Sequence, residues 1–177
     1  GVFQMLAHGL STGALFLLVG VIYERRHTRE ISEFGGLAHG MPVYATIFMI
    51  TMLASVGLPG LAGFVGEFMI LFGTFGSDTL VHPRLLAALA ATGVVLGAIY
   101  MLWMYQRVFF GKLAEEKNRN LPDLNLRELA VLLPLVVFMF WLGVRPGLVL
   151  DRIEPSVERV LAPLVALIFY IGLFPNP

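Results

Sequence analysis

From Met41 to Gly66 the chain carries no charged side chain, and the same holds from Leu85 to Gln106, from Leu129 to Val144 and, His8 aside, from Gly1 to Tyr23. At about 1.5 Å of rise per residue, helices of these lengths approach or exceed a hydrocarbon core of roughly 30 Å. With no water in that core, each backbone amide needs a partner inside its own segment, and a helix supplies it. Composition points the same way. Hydrophobic residues make up 58% and charged residues 14%, against about 25% charged in soluble domains, and the mean hydropathy is +0.82. The expected fold is all-α, a polytopic transmembrane bundle of five to six helices, one of them broken.

In chain order the expected helices are about 1–23, 42–58, 61–81, 85–110 and 129–144. Pro42 suits a helix start, because its missing N–H is one the first turn leaves unpaired anyway. Gly57-Leu58-Pro59-Gly60 breaks the ladder, and a new helix follows at once. Leu61 to Phe75 is only about 22 Å if wholly helical. That helix either runs on to Val81 or is interrupted near Gly73 and Gly76. Trp103, Tyr105 and Arg107 gather near the end of the fourth helix as interfacial anchors do. The loops 24–40 and 111–127 hold most of the charge. Val131–Pro146 recurs as Val160–Pro175, sharing Pro-Leu-Val, Phe, Gly and Pro in register. Residues 162–177 therefore read as an extra apolar tail duplicating 133–146, with Leu150 to Glu158 along the surface between the copies.

One acid interrupts the apolar pattern. Glu67 lies just beyond the helix break, and a charge near a bilayer centre costs at least about 2.5–3.5 kcal/mol on insertion scales. Its carboxyl is expected to face protein or a wet cavity. Proton handling is the functional reading, and an ion pair with Lys or Arg on another helix is the structural one. On the first helix Gln4, His8, Ser11 and Thr12 form a polar stripe, with offsets of four and three placing Gln4, His8 and Ser11 on one face. His8 is a second proton-relay candidate; otherwise it is an imidazole hydrogen-bonded to a neighbouring helix. Ser11, Thr12, Tyr44 and Tyr100 are candidates for holding water, or else polar contacts between packed helices.

Other chemistries are excluded or lack a signal. The chain has no cysteine, so it supplies no disulfide, thiol zinc site or iron–sulfur ligation. His27, His39 and His82 fall in loops without a ligand at metal spacing. No phosphate loop or dinucleotide fingerprint is present. Twelve basic and twelve acidic residues balance, with no basic run suited to nucleic acid.

Ala-His-Gly-Leu-Ser (7–11), Tyr-Glu-Arg-Arg-His-Thr-Arg (23–29), Gly-Leu-Pro (57–59) with Phe-Val-Gly-Glu-Phe (64–68), and Ala-Ile-Tyr-Met-Leu-Trp-Met (98–104) together carry a resemblance. The segment from Gly1 to about Leu161 resembles the C-terminal part of the chain M family of proton-translocating NADH:quinone oxidoreductase. Its mitochondrial counterpart is subunit 4 of complex I. The resemblance implies an antiporter-like fold, with residues 1–161 as the C-terminal part of its membrane domain. It also implies that His8 belongs to a midplane chain of ionisable groups and that Glu67 is the terminal group near the outward exit. FMN, iron–sulfur clusters, NADH and quinone are expected on partner subunits. The expected partners are other membrane subunits of complex I, lipids and protons, in a bacterial inner or mitochondrial inner membrane. The competing expectations are a subunit of a multisubunit cation/proton antiporter or membrane-bound hydrogenase, and a structural fragment without a complete proton path.

Overall fold

A computed structural model describes residues 1–111 and 118–170. Among these residues there are seven α-helices: α1 (Val2–Arg26), α2 (Leu37–Gly40), α3 (Pro42–Val56), α4 (Ala62–Phe75), α5 (Pro83–Phe109), α6 (Leu126–Val144) and α7 (Gly147–Tyr170), with a short 3-10 turn at Ile31–Glu33. Among the described residues, α1, α5 and α6 are long and apolar enough to cross a membrane, whereas α3 and α4 are shorter apolar helices.

Local chemistry sets these bounds. Pro42 and Pro83 sit in the first turns of α3 and α5. α3 stops at Gly57, whose φ of 84° is left-handed and whose N–H bonds back to Leu53. That conformation is one a glycine adopts without a Cβ penalty. α6 opens with a reciprocal capping box, in which the Asn125 side chain accepts from the Glu128 N–H and the Glu128 carboxylate accepts from the Asn125 N–H. Two otherwise unpaired donors are satisfied in this way. Pro134 is accommodated inside α6.

The hydrogen bonds between loops fix the topology. The end of α1, the start of α3, the end of α5 and the start of α6 all meet on one face, here called the loop face. Arg25 reaches Glu128 and the carbonyls of Pro122 and Asp123. The Asp123 carboxylate accepts from the N–H groups of Val43 and Tyr44. Gly36 N–H donates to the Phe110 carbonyl, and Asn118 donates to the Glu33 carbonyl. α3 leaves this face and α5 returns to it, so α4 completes the descent that α3 begins. α3 and α4, about 22 and 21 Å long, are two halves of one discontinuous crossing, broken between Gly57 and Leu61. The sequence pattern suggested two separate spans there. α4 runs unbroken through Gly73 and ends at Gly76.

The main core lies toward the loop face. Tyr44 and Phe48 of α3 pack on Tyr105 and Phe109 of α5, with ring centroids 5.7 Å apart for Tyr44–Phe109 and 4.9 Å for Phe48–Phe109. Both tyrosine hydroxyls are satisfied: Tyr44 donates to the Leu18 carbonyl and Tyr105 to the Ala45 carbonyl, each at 3.0 Å. Farther down, Ala14, Ala54, Leu61 and Met139 pack together, and Phe3, Ala7, Ala62 and Leu142 form the lowest cluster. The outward faces remain apolar, with Met5, Phe16, Leu96, Ile99 and Val137 exposed. Such faces suit lipid or further helices.

α7 departs from the sequence pattern. Residues 150–158 lie within this single helix, with Pro155 and Pro163 inside it. Val149 and Leu150 tie its first turns to the cluster around Phe3. Of the apolar tail 162–177, residues 171–177 lie outside the described residues.

Candidate functional site: a carboxyl at the helix break

Glu67 stands in the second turn of α4, immediately below the break. Its carboxyl rests against the Cα of Gly57, and a Cβ built there would collide with Glu67 Oε2. The glycine therefore does two things: it turns the chain out of α3 and leaves the space that the carboxyl occupies. On the other side, Gln4 Nε2 of α1 donates to Glu67 Oε1 at 3.4 Å. This is a long contact at the weak end of hydrogen bonding.

The acid also lines a cleft of about 320 Å³ between α3, α4 and α5, together with Ser55, Gly93, Gly97 and Tyr100. The cleft walls are mainly apolar, with Ser55, Glu67 and Tyr100 as the polar groups, and the volume is enough for several water molecules. Glu67 is half-buried, between the protein interior and this opening. The ion pairs found among the described residues are Arg25–Glu128 and Arg26–Glu33, both on the loop face. The carboxyl thus has a neutral amide as its side-chain partner.

The other sequence-derived candidates divide into two groups. Tyr100 shares the Glu67 cleft, whereas Tyr44 is buried in the aromatic core, with its hydroxyl bonded to Leu18. The polar stripe on α1 also splits. Gln4 turns toward α4, and Ser11 is buried, its hydroxyl donating to the His8 carbonyl at 3.4 Å. His8 is exposed on the flank of α1, and Thr12 Oγ1 lies 3.2 Å from its Nδ1. Gln4 and His8 are one turn apart, so the Glu67 contact and the imidazole stand on adjoining turns of one helix. Sequence reasoning placed Gln4 in the stripe without giving it a role. In the sequence Gly57 marks the helix break and Gly66 stands beside the acid, and neither shows the close approach it permits.

The chain is similar to known proteins over most of its length. A family model described as NADH:quinone oxidoreductase/Mrp antiporter, transmembrane, matches residues 1–91. Subunit M of the NADH-quinone oxidoreductase of Rhodobacter capsulatus is 52% identical over 160 residues, covering 90% of this chain and 30% of that protein. Chain 4 of the NADH-ubiquinone oxidoreductase of Marchantia polymorpha is 44% identical over 157 residues, covering 89% of this chain and 31% of that protein. Among solved structures, a chain of respiratory complex I from Thermus thermophilus with bound NADH superposes with a TM-score of 0.80 at 37% identity, covering 90% of this chain and 32% of that one. The chain spans about 30% of the length of these relatives. It belongs to the NADH:quinone oxidoreductase/Mrp antiporter transmembrane family.

Proposed function

We propose that this member of the NADH:quinone oxidoreductase/Mrp antiporter family takes part in proton translocation within a membrane subunit of NADH:quinone oxidoreductase, and that Glu67 carries the proton. The observation that carries the reading is the setting of Glu67. It is an acid at a break in a membrane helix, facing a cleft large enough for water, with an uncharged side chain as its partner. A fixed cation would hold the carboxylate ionised. An amide and a water-sized cleft leave gain and loss of a proton accessible.

His8 is the second relay group in this reading. A charge arriving beside a proton-bearing group tips the balance between its two forms. Coupling is electrostatic: a proton gained at one site changes the occupancy of the next. Of the water-holding candidates, Thr12 contacts the imidazole, Ser11 donates to the His8 carbonyl and Tyr100 lines the Glu67 cleft. Tyr44 stands apart from them in the aromatic core. Electron transfer is assigned to partner subunits holding FMN, iron–sulfur clusters and the NADH and quinone sites. The relatives matched most fully here are named for NADH-quinone or NADH-ubiquinone oxidoreductases, which favours this reading over a cation antiporter.

The test is proton pumping by the assembled enzyme carrying substitutions in the full-length subunit. Glu67→Gln is expected to lower NADH-driven pumping about tenfold or more while the subunit still assembles. Glu67→Asp keeps a proton-bearing group and retains part of the activity. Near-normal pumping with Glu67→Gln removes this carboxyl from the path.

A further inference from the structure

We propose that Gln4 is a positioning residue for the Glu67 proton, because its neutral side-chain amide can serve the carboxyl in both protonation states by turning over. The inference rests on the reading of Glu67 as a proton carrier. When Glu67 is ionised, Gln4 Nε2 donates to it, as observed at 3.4 Å. When Glu67 is protonated, the carboxylic O–H needs an acceptor, and the amide oxygen supplies one after a half-turn about the last side-chain torsion. That torsion is broad and roughly two-fold. A Lys or Arg in the same place can only donate.

Three features of the packing support this role. Gln4 Oε1 is buried and has no hydrogen-bond partner among the described residues, so an acceptor is held in reserve beside the carboxyl. Gly66, next to Glu67, lies so close to α1 that a Cβ there would collide with the Cα, Cβ and Oε1 of Gln4. The root of the Gln4 side chain is thereby fixed while its amide reaches the acid. Gln4 also lines a cavity of about 430 Å³ with Gly66, Met69, Asp151 and Glu154, while its partner Glu67 lines the cleft between α3, α4 and α5.

The titratable groups facing this point come from several elements. α5 supplies Tyr100, across the cleft, and α7 supplies Asp151 and Glu154, in the second cavity, while His8 of α1 lies one turn away on the exposed flank. α3 carries no charged side chain, and Arg127 and Glu128 of α6 lie at its loop-face end. The amide is therefore placed to decide how readily the carboxyl exchanges its proton.

The experiment uses the full-length subunit in the assembled enzyme. It reads the pH profile of NADH-driven pumping and the infrared carboxyl band that Glu67→Gln abolishes. Gln4→Met keeps the shape of the side chain but neither donates nor accepts through an amide. It is expected to lower pumping about fivefold, the effect of losing one ordinary hydrogen bond, and to displace the carboxyl band. Gln4→Lys donates only, so it is expected to erase the protonated band, lower pumping at least tenfold and move the pH profile opposite to Gln4→Met. Gln4→His, again a neutral donor and acceptor, is expected to keep more activity than Gln4→Met. A wild-type band and pH profile in Gln4→Met, with Glu67→Gln still inactive, overturns the role of Gln4 and leaves Glu67 in place. Normal pumping by Glu67→Gln overturns the reading beneath both. Should Gln4→Lys fail to assemble, the band and profile of Gln4→Met decide the matter.

Discussion

Of the carboxylates that contact α1, Glu128 and Glu67 are treated in opposite ways. At the loop face, Glu128 receives both terminal nitrogens of Arg25, at 2.9 and 2.8 Å. The same guanidinium donates to the carbonyls of Val21, Pro122 and Asp123, and Glu128 also takes part in the α6 capping box. Toward the other end, Glu67 has one amide at 3.4 Å and a cleft beside it. Charge-assisted, bidentate pairs are roughly twice as strong as neutral hydrogen bonds and hold the ionised form. The first carboxylate is a structural clamp. The second has an uncharged side-chain partner. The contrast separates acids that tie helices together from an acid suited to carrying a proton, by their partners and not by their depth alone.

The comparison can be broken most forcefully at the clamp. Arg25→Leu leaves Glu128 partly buried without its partner and strips the guanidinium from three carbonyls. A loss of about 3 kcal/mol is expected, because removing one member of a buried pair strands the other. Thermal unfolding of the purified membrane complex should show it, with pumping per electron unchanged in the enzyme that survives. If Arg25→Leu abolishes pumping without loss of stability, the division between clamp and carrier fails.

Gly57→Ala strikes the other end. It places a Cβ at a φ of 84° and against the Glu67 carboxyl, at a cost of about 1–2 kcal/mol for the left-handed backbone alone. Pumping is expected to fall more than assembly, since the displaced carboxyl loses both its seat and its contact with Gln4. A subunit that is destabilised but pumps normally would show that the seat is unimportant. The smallest effect is expected from Asn125→Ala, which removes half of the capping box and costs about 1 kcal/mol. Melting curves should register it, while the pH profile of pumping stays in place.

Much of the fold was legible in the residues. Pro42, Gly57 and the uncharged runs mark helices and breaks through backbone chemistry, and Glu67 announces itself as the one acid in an apolar stretch. That α3 and α4 share one crossing was not legible, because each half is close to the length of a short span. Only the meeting of Val43, Phe110, Asp123 and Glu128 on one face reveals it. The role of Gln4 was hidden for a related reason: an amide has no sequence signature for its partner, and Glu67 lies 63 positions away. Tyr44 and Tyr100 look alike in sequence, each a hydroxyl in an apolar helix. Packing separates them, sending one into an aromatic core and the other to the Glu67 cleft.

The loop-face network ties the ends of every crossing into a common plate. At the Glu67 end the helices meet instead through the apolar contacts of Phe3, Ala7, Ala62 and Leu142, which are not directional, so the two ends of the bundle are held together by different forces.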